Sequence, residues 1–142
     1  FAHHGEQGGW TLDTFRQRQQ ESWFDAEGFR VFDAVDDEGR HRMAGFCWTK
    51  VHEATATGEA DVGEIYVIAV DPDFHGRGLG RQLTLAGLDH LARRGIATGM
   101  LYVDADNEPA VRLYERLGFS VYCTNAAFVA DVDAVNVENG TR

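Results

Sequence analysis

The hydrophobic pattern is clearest in two adjacent segments near the middle of the chain. Residues 63–70 are apolar at odd and even positions alike between Ile65 and Val70, which predicts a central strand buried on both faces. Residues 78–94 instead repeat leucines at helical spacing, and this stripe predicts a long amphipathic helix that stops at Gly95. The best strand is therefore followed at once by the best helix.

Weaker patterns supply the remaining elements. In chain order they predict a helix over 12–21, strands over 29–34, 42–52 and 100–103, a helix from Asn107 to Gly118, strands over 119–123 and 127–132, and a frayed tail over 136–142. This order of elements predicts an α/β or α+β sandwich around a mixed sheet, rather than an alternating doubly wound fold.

Composition narrows the class of protein. A chain of 142 residues suits one domain, which we place at residues 1–135. The 13 basic and 23 acidic residues give a net charge of −10, which argues against nucleic acid or an anionic membrane as the partner. Cys47 and Cys123 are too few and too far apart for a disulfide framework, so we expect reduced thiols and a cytoplasmic protein. The histidines lack a metal-ligand spacing, and we assign no metal.

A glycine-rich turn joins the central strand to the long helix. Its residues are His75, Gly76, Arg77, Gly78, Leu79, Gly80 and Arg81. Glycines allow a tight backbone, and a helix that begins there offers unpaired N–H groups to a phosphate or pyrophosphate. A Walker loop needs a lysine before serine or threonine, and a dinucleotide fingerprint needs a third glycine where Arg81 or Leu83 stands. The x-x-x-Gly-x-Gly turn of coenzyme A-dependent acetyltransferases fits, with His75 in place of the usual glutamine or arginine. A connection that binds nothing also remains open.

A second motif adds a resemblance to a known family. Asn107-Glu108-Pro109-Ala110-Val111-Arg112-Leu113-Tyr114, followed by Leu117-Gly118-Phe119, is similar to the Asn-x-x-Ala-x-x-x-Tyr helix of the Gcn5-related N-acetyltransferase (GNAT) superfamily. With the glycine turn about thirty residues earlier, the chain resembles that superfamily over two ordered motifs. The resemblance implies a mostly antiparallel sheet flanked by helices, a bulged strand that splays from its neighbour to open a coenzyme A slot, and direct acetyl transfer from acetyl-coenzyme A to an amine.

Further segments resemble one branch of the superfamily. Trp48-Thr49-Lys50-Val51-His52, Gly63-Glu64-Ile65-Tyr66-Val67 and Leu101-Tyr102-Val103 are similar to the C-terminal half of two-domain members that acetylate the cysteinyl amine of cysteinyl-glucosaminyl-inositol. The resemblance implies that this chain is one half of such a protein, preceded by another acetyltransferase domain. It also implies that the first strand of the fold is missing before Phe1.

The resemblance implies roles for individual residues. Glu64, on the central strand, would be the base, and Tyr114 would protonate the departing thiolate. The pantetheine arm would lie along Ile68, Ala69 and Val70, and the pyrophosphate on the glycine turn from His75 to Arg81. The helix start, Asn107, Glu108, Pro109, Ala110, Val111 and Arg112, would border the cofactor. Substrate contacts would fall on Glu6, Lys50, Glu64 and Tyr102.

Without the resemblance, plainer structural interpretations of these residues remain open. Glu64 could be a solvated strand-end carboxylate, Tyr114 a core aromatic, and Glu6 and Lys50 ordinary surface charges. Two other functions are also weighed: a general acetyltransferase of peptide N-termini or small amines, and a non-catalytic acyl-coenzyme A-binding module. A ping-pong route through either cysteine is disfavoured, because no histidine or lysine adjoins them in sequence.

Overall fold

A computed structural model describes residues 9–123 and 127–131. The helices and strands, in chain order, are α1 Leu12–Arg18, β1 Phe29–Val35, β2 His41–His52, β3 Val62–Val70, α2 Leu79–Arg93, β4 Thr98–Tyr102, α3 Glu108–Arg116, β5 Ser120–Cys123 and β6 Ala127–Asp131. Two single-turn 3₁₀ helices, Ala26–Gly28 and Pro72–Phe74, precede β1 and follow β3. In the described part of the chain, no helix is long and apolar enough to cross a membrane.

The strands form one sheet in the order β1-β2-β3-β4-β6-β5. β3 and β4 run parallel, joined by the crossover helix α2, and every other neighbouring pair is antiparallel. The mixed, mostly antiparallel sheet is therefore confirmed.

β3 and β4 separate part of the way along. Their parallel pairing runs from Val62 opposite Thr98 to Ile65 opposite Leu101. β3 then continues to Val70 in pairing with β2. On the β2 side the register passes from Ile65 to Val67, so Tyr66 is the extra residue of a bulge, which bends the strand at the point of separation. The bulged, splayed strand pair expected from the resemblance is present.

The sheet buries a different type of core on each face. On one face, α2 and α3 cover an aliphatic cluster that includes Cys47, Ile65, Leu88 and Leu91. On the other face, Trp48 is fully buried at the centre of an aromatic cluster, touched by the rings of Trp10, Phe15, Trp23, Phe24, Phe29 and Tyr66.

Three glycines let α2 lie close to the sheet. A methyl group placed on Gly45 would come 2.8 Å from Leu83 Cδ1, and one on Gly63 would come 2.6 Å from Leu91 Cδ1. On the helix itself, a methyl on Gly87 would come 2.7 Å from Cys47 Sγ. The absence of a side chain at these positions sets the distance between the helix and the sheet.

The predicted elements within the described residues are confirmed, with small shifts at their ends. The first helix ends at Arg18 instead of residue 21, because the backbone tightens after it: the Gln20 amide bonds to the Gln17 carbonyl and the Glu21 amide to the Arg18 carbonyl. The two 3₁₀ turns were not predicted. Asp71 caps the second by accepting from the Asp73 amide. The predicted tail at 136–142 lies outside the described residues.

Candidate active site

The glycine turn forms a cradle at the start of α2. Gly76 and Gly78 have φ angles of +75° and +76°, in the left-handed region that glycine adopts without steric cost. Gly78 is the residue before the first turn of α2, and no side chain caps the helix there. The first amides of α2 are therefore open to a ligand, and the positive end of the helix dipole favours an anion.

A cavity of about 270 Å³ lies against this turn. It is lined by Val70, Phe74, His75, Gly76, Gly78, Leu79, Gly80, Arg81 and Leu113. Every predicted residue of the turn lines it except Arg77, whose guanidinium carbon lies 5.0 Å from the centre of the Phe74 ring. The imidazole Nε2 of His75 lies 3.0 Å from the Val70 carbonyl oxygen, and so holds the turn to the end of β3.

The edge of β3 that faces the gap begins where β4 diverges. Ile68, Ala69 and Val70 are half-buried and paired to β2 on one side only. Backbone groups on the other edge can pair with an extended ligand as with an added strand. This edge leads directly to the glycine turn, so the two predicted parts of the coenzyme A site are contiguous.

Tyr114 lies in the aliphatic core on the α2 side of the sheet. Its side chain is 6% exposed, it meets the Phe119 ring edge-on, and it belongs to the cluster that holds Cys47 and touches Ile68 and Val70. Burial, together with the nearby Cys47 thiol, raises the pKa of Tyr114 to about 12. The phenol therefore keeps its proton at neutral pH, beside the splayed half of β3.

At the start of α3, the polar side chains form hydrogen bonds within the helix itself. The Asn107 side-chain oxygen accepts from the Ala110 amide, and Arg112 Nη1 lies 3.0 Å from Glu108 Oε2. Leu113 is the residue of α3 that lines the cavity, and it does not belong to the predicted cofactor-binding residues. Leu113 was not predicted because its helical spacing already explained it as a core position.

Glu64 is buried on the opposite face of the sheet from Tyr114. It is 7% exposed and stands opposite Lys50 in the β2–β3 register. His52 Nε2 lies 2.6 Å from Glu64 Oε2. Because an ionised carboxylate only accepts hydrogen bonds, the imidazole nitrogen donates to it. The plainer alternative, a solvated strand-end carboxylate, is therefore wrong: Glu64 is buried and specifically paired.

The predicted acceptor residues within the described chain share this face. Lys50 Nζ lies 4.8 Å from the centre of the Trp23 ring and 5.4 Å from that of Tyr66. Tyr102 is 57% exposed and stands two positions beyond Met100, which pairs with Glu64, so alternation puts Tyr102 on the Glu64 side. Glu6 lies outside the described residues.

Sequence reasoning missed three residues of this face: His52, Trp23 and Tyr66. His52 follows Lys50 at the two-residue spacing of one strand face, and the β2–β3 register brings it diagonally beside Glu64. That register could be anticipated only after β2 and β3 were recognised as an antiparallel hairpin. In the described part of the chain, no group of three or more histidine, cysteine or acidic side chains could hold a metal ion.

Comparison with known proteins gives consistent results. Residues 3–119 match the model of the acetyltransferase (GNAT) family. Mycothiol acetyltransferase from Thermobifida fusca is 56% identical over 124 residues, which cover 86% of this chain and 38% of that protein. Ribosomal-protein-S18-alanine N-acetyltransferase from Escherichia coli is 30% identical, with a TM-score of 0.55 over 84% of this chain and 74% of that one.

A further solved structure, the NatC complex bound to Gag peptide and CoA, gives a TM-score of 0.66 at 22% identity. It covers 86% of this chain and 80% of that one, and shows likeness of fold alone. Eight curated relatives are much longer than this chain, which spans 38–45% of their length.

Proposed function

Because the chain belongs to the acetyltransferase (GNAT) family, we propose that it transfers acetyl directly from acetyl-coenzyme A to the cysteinyl amine of cysteinyl-glucosaminyl-inositol, giving mycothiol. The family agrees with the resemblance carried by the two motifs. The choice of acceptor is supported by curated relatives named mycothiol acetyltransferase at 45–56% identity.

One observation carries the proposal. A buried carboxylate, Glu64, and a buried phenol, Tyr114, lie on opposite faces of β3 beside the point where that strand leaves β4. Amide formation from a thioester needs a base for the amine and a proton for the thiolate, delivered from different sides of the carbonyl carbon. An acceptor can approach from the aromatic face and a donor along the free edge of β3.

The residues at the free edge and the turn fit acetyl-coenzyme A. A methyl group on Gly76 or Gly78 would meet no protein atom within 4 Å, so these glycines leave open space in front of the α2 amides. A pyrophosphate there would be bound by backbone N–H groups, and the pantetheine arm by the edge of Ile68 to Val70. Acetyl-coenzyme A supplies the activated acetyl group; the chain orients it.

The acceptor side supplies charge for an ammonium and aromatic surface for a sugar. Glu64 attracts the ammonium and takes its proton, which frees the nitrogen lone pair for attack on the thioester carbon. Lys50, held over Trp23 and Tyr66, and the exposed Tyr102 are placed to hydrogen-bond hydroxyl groups. Glu6 remains part of the proposed acceptor site on the resemblance alone.

The last step of the proposed reaction is the departure of the coenzyme A sulfur. As the C–N bond forms, the tetrahedral intermediate collapses with loss of the C–S bond, and the sulfur keeps the electron pair. Tyr114 donates its phenolic proton to that sulfur, and the second proton, which the nitrogen loses as it becomes an amide, passes through water to restore the phenol. Cys47 is fully buried and burial raises its pKa to about 12, so it is a poor nucleophile and direct transfer is favoured over an acetyl-cysteine route.

A second candidate function is acetylation of a peptide N-terminus. It is favoured by the 30% identity to the ribosomal-protein-S18-alanine N-acetyltransferase over most of both chains. A non-catalytic acyl-coenzyme A-binding module is a weaker alternative, since such a module would not require both Glu64 and Tyr114. We further propose that the chain works in the cytoplasm behind an N-terminal acetyltransferase domain of a longer protein.

The test is a direct competition between acceptors. The chain is incubated with acetyl-coenzyme A and either cysteinyl-glucosaminyl-inositol or a peptide that begins with alanine, and N-acetylated product is measured by mass spectrometry. We expect kcat/KM for the cysteinyl sugar to exceed that for the peptide at least a hundredfold. Equal rates would replace the proposed acceptor, and binding of acetyl-coenzyme A without any product would support the binding module.

A further inference from the structure

His52 is the polar side chain in contact with the buried Glu64 carboxylate. Its Nε2 lies 2.6 Å from Glu64 Oε2, a short, charge-assisted geometry. The Glu64 side chain is only 9% exposed, whereas the His52 side chain is 42% exposed. The pair therefore extends from the buried base to the surface of the protein.

We propose that His52 is a positioning residue for the acceptor-side base: its Nε2–H fixes Glu64 Oε2, so that the other carboxylate oxygen faces the acceptor amine. The inference rests on the proposed function, in which Glu64 takes the ammonium proton. It adds a residue that does not touch the reacting atoms but determines which oxygen and which orientation the amine meets.

Among the described residues, His52 is the direct hydrogen-bond donor to Glu64. Lys50 is opposite Glu64 in the register, but its ammonium group lies over the Trp23 and Tyr66 rings. The lysine therefore contributes charge to this face, and the imidazole donates to the carboxylate. A buried carboxylate that loses its donor pays a large desolvation penalty or turns to another partner.

The His52–Glu64 pair has charged and titratable neighbours on the same face of the sheet. Among the described residues these include Lys50 on β2, Tyr66 on β3, Tyr102 on β4, and Arg18 and Glu21 near α1, the last two of which act electrostatically on Tyr66. These groups are unchanged by substitutions at His52, which isolates its contribution.

Two substitutions separate orientation from charge. In His52→Gln, the side-chain amide can still donate to Oε2 but cannot take up a proton, and in His52→Leu both abilities are lost. Should His52→Leu fold poorly, His52→Asn replaces it, because its shorter amide does not reach the carboxylate. His41→Leu is the matched control: His41 lies on the same strand, and its Nδ1 makes a 2.9 Å pair with Asp33 in an exposed position remote from Glu64.

We expect His52→Leu to lower kcat at least tenfold with the cysteinyl sugar, with the KM for acetyl-coenzyme A close to wild type and a cooperative thermal transition that shows a folded chain. His52→Gln should recover kcat to within about threefold of wild type. His41→Leu should match wild type in all of these measurements.

A double-mutant cycle determines whether His52 acts through Glu64. If His52 acts through Glu64, His52→Leu should cost less than about twofold in a Glu64→Gln background, because the carboxylate it positions is already absent. Independent effects that multiply in the double variant would overturn the inference, as would equal kcat values for His52→Leu and wild type. Failure of the proposed function looks different: wild type itself would form no acetylated cysteinyl sugar.

Discussion

Replacing Gly78 with alanine tests whether the turn before α2 binds acetyl-coenzyme A through its backbone. Gly78 has φ +76° and ψ 13°, a conformation that costs an L-residue roughly 1–2 kcal/mol. A methyl group there meets no protein atom within 4 Å, so the loss of folding stability should come from the backbone alone. We expect the unfolding free energy of Gly78→Ala to fall by about 1 kcal/mol.

Gly95 provides a matched control at the other end of the same helix. It has φ +78°, and a methyl group on it also meets no protein atom within 4 Å. α2 has 15 residues, which at a rise of about 1.5 Å per residue puts the two glycines more than about 20 Å apart. Gly95→Ala should therefore lose a similar amount of stability without touching the cavity.

Only the change at Gly78 should weaken the donor. The new methyl group stands at the mouth of the α2 amides and holds a pyrophosphate away from them. We expect the Kd for coenzyme A to rise at least tenfold, or about 1.4 kcal/mol, for Gly78→Ala, and less than twofold for Gly95→Ala. Urea unfolding measures the change in unfolding free energy, and titration calorimetry measures the Kd for coenzyme A. Equal Kd values for the two variants would remove the turn from the donor site.

Three other changes test the remaining parts of the site and the core. Tyr114→Phe keeps the ring that meets Phe119 but deletes the hydroxyl, so kcat should fall on the order of 10²-fold with little change in the KM for acetyl-coenzyme A. A thioester with a more acidic leaving thiol should lessen that defect, and an undiminished defect would return Tyr114 to a packing role. Glu64→Gln should still bind acetyl-coenzyme A, be slow at pH 7, and partly recover above about pH 9, where more of the amine is free; wild-type kcat/KM across that range would assign the base elsewhere. Burial raises the pKa of Cys47 and of Tyr114 to about 12, so the folded chain keeps protons that the unfolded chain loses from about pH 9 upward. Stability should therefore be complete below that range and fall as pH rises through it, by at most about 1.4 kcal/mol per pH unit for each group. Cys47→Ala should flatten that fall in urea unfolding at pH 8 to 11, and an identical slope in wild type and Cys47→Ala would contradict the assignment.

The elements were predictable because their signals are local. The run from Ile65 to Val70 and the leucine stripe of α2 are apolar patterns that the fold uses directly, and two of the three glycines of the turn, Gly76 and Gly78, have the positive φ angles that their residue type suggested. The family motifs then implied a mostly antiparallel sheet with one splayed strand pair. What the pattern could not supply was the bulge at Tyr66, because an extra residue in a fully apolar strand leaves no mark on its alternation.

Side-chain pairing was the harder part of the site. The contact of His52 with Glu64 joins residues twelve apart across a hairpin, so it depends on the β2–β3 register, which is set by the connection over residues 53–61. Arg77 is a second example. As a cation in the turn it is predicted to bind phosphate, and its guanidinium lies over the Phe74 ring, a contact that the sequence pattern did not predict. Local charge predicted the kind of site but not the direction of each side chain.

The close approach of α2 to the sheet has a consequence for mutational tolerance. Gly45, Gly63 and Gly87 lie on strands or in mid-helix, none of them in the donor turn, yet each leaves no room for a methyl group. A side chain at any of them would push α2 away from the sheet, and the glycine turn at the start of α2 would move with it. A saturation-mutagenesis screen for activity should thus show intolerance along this buried seam, while Arg77, inside the motif itself, should accept many replacements. The position of the donor-binding groups therefore depends on the helix–sheet spacing, and we expect these three glycines, which touch no ligand, to tolerate substitution least.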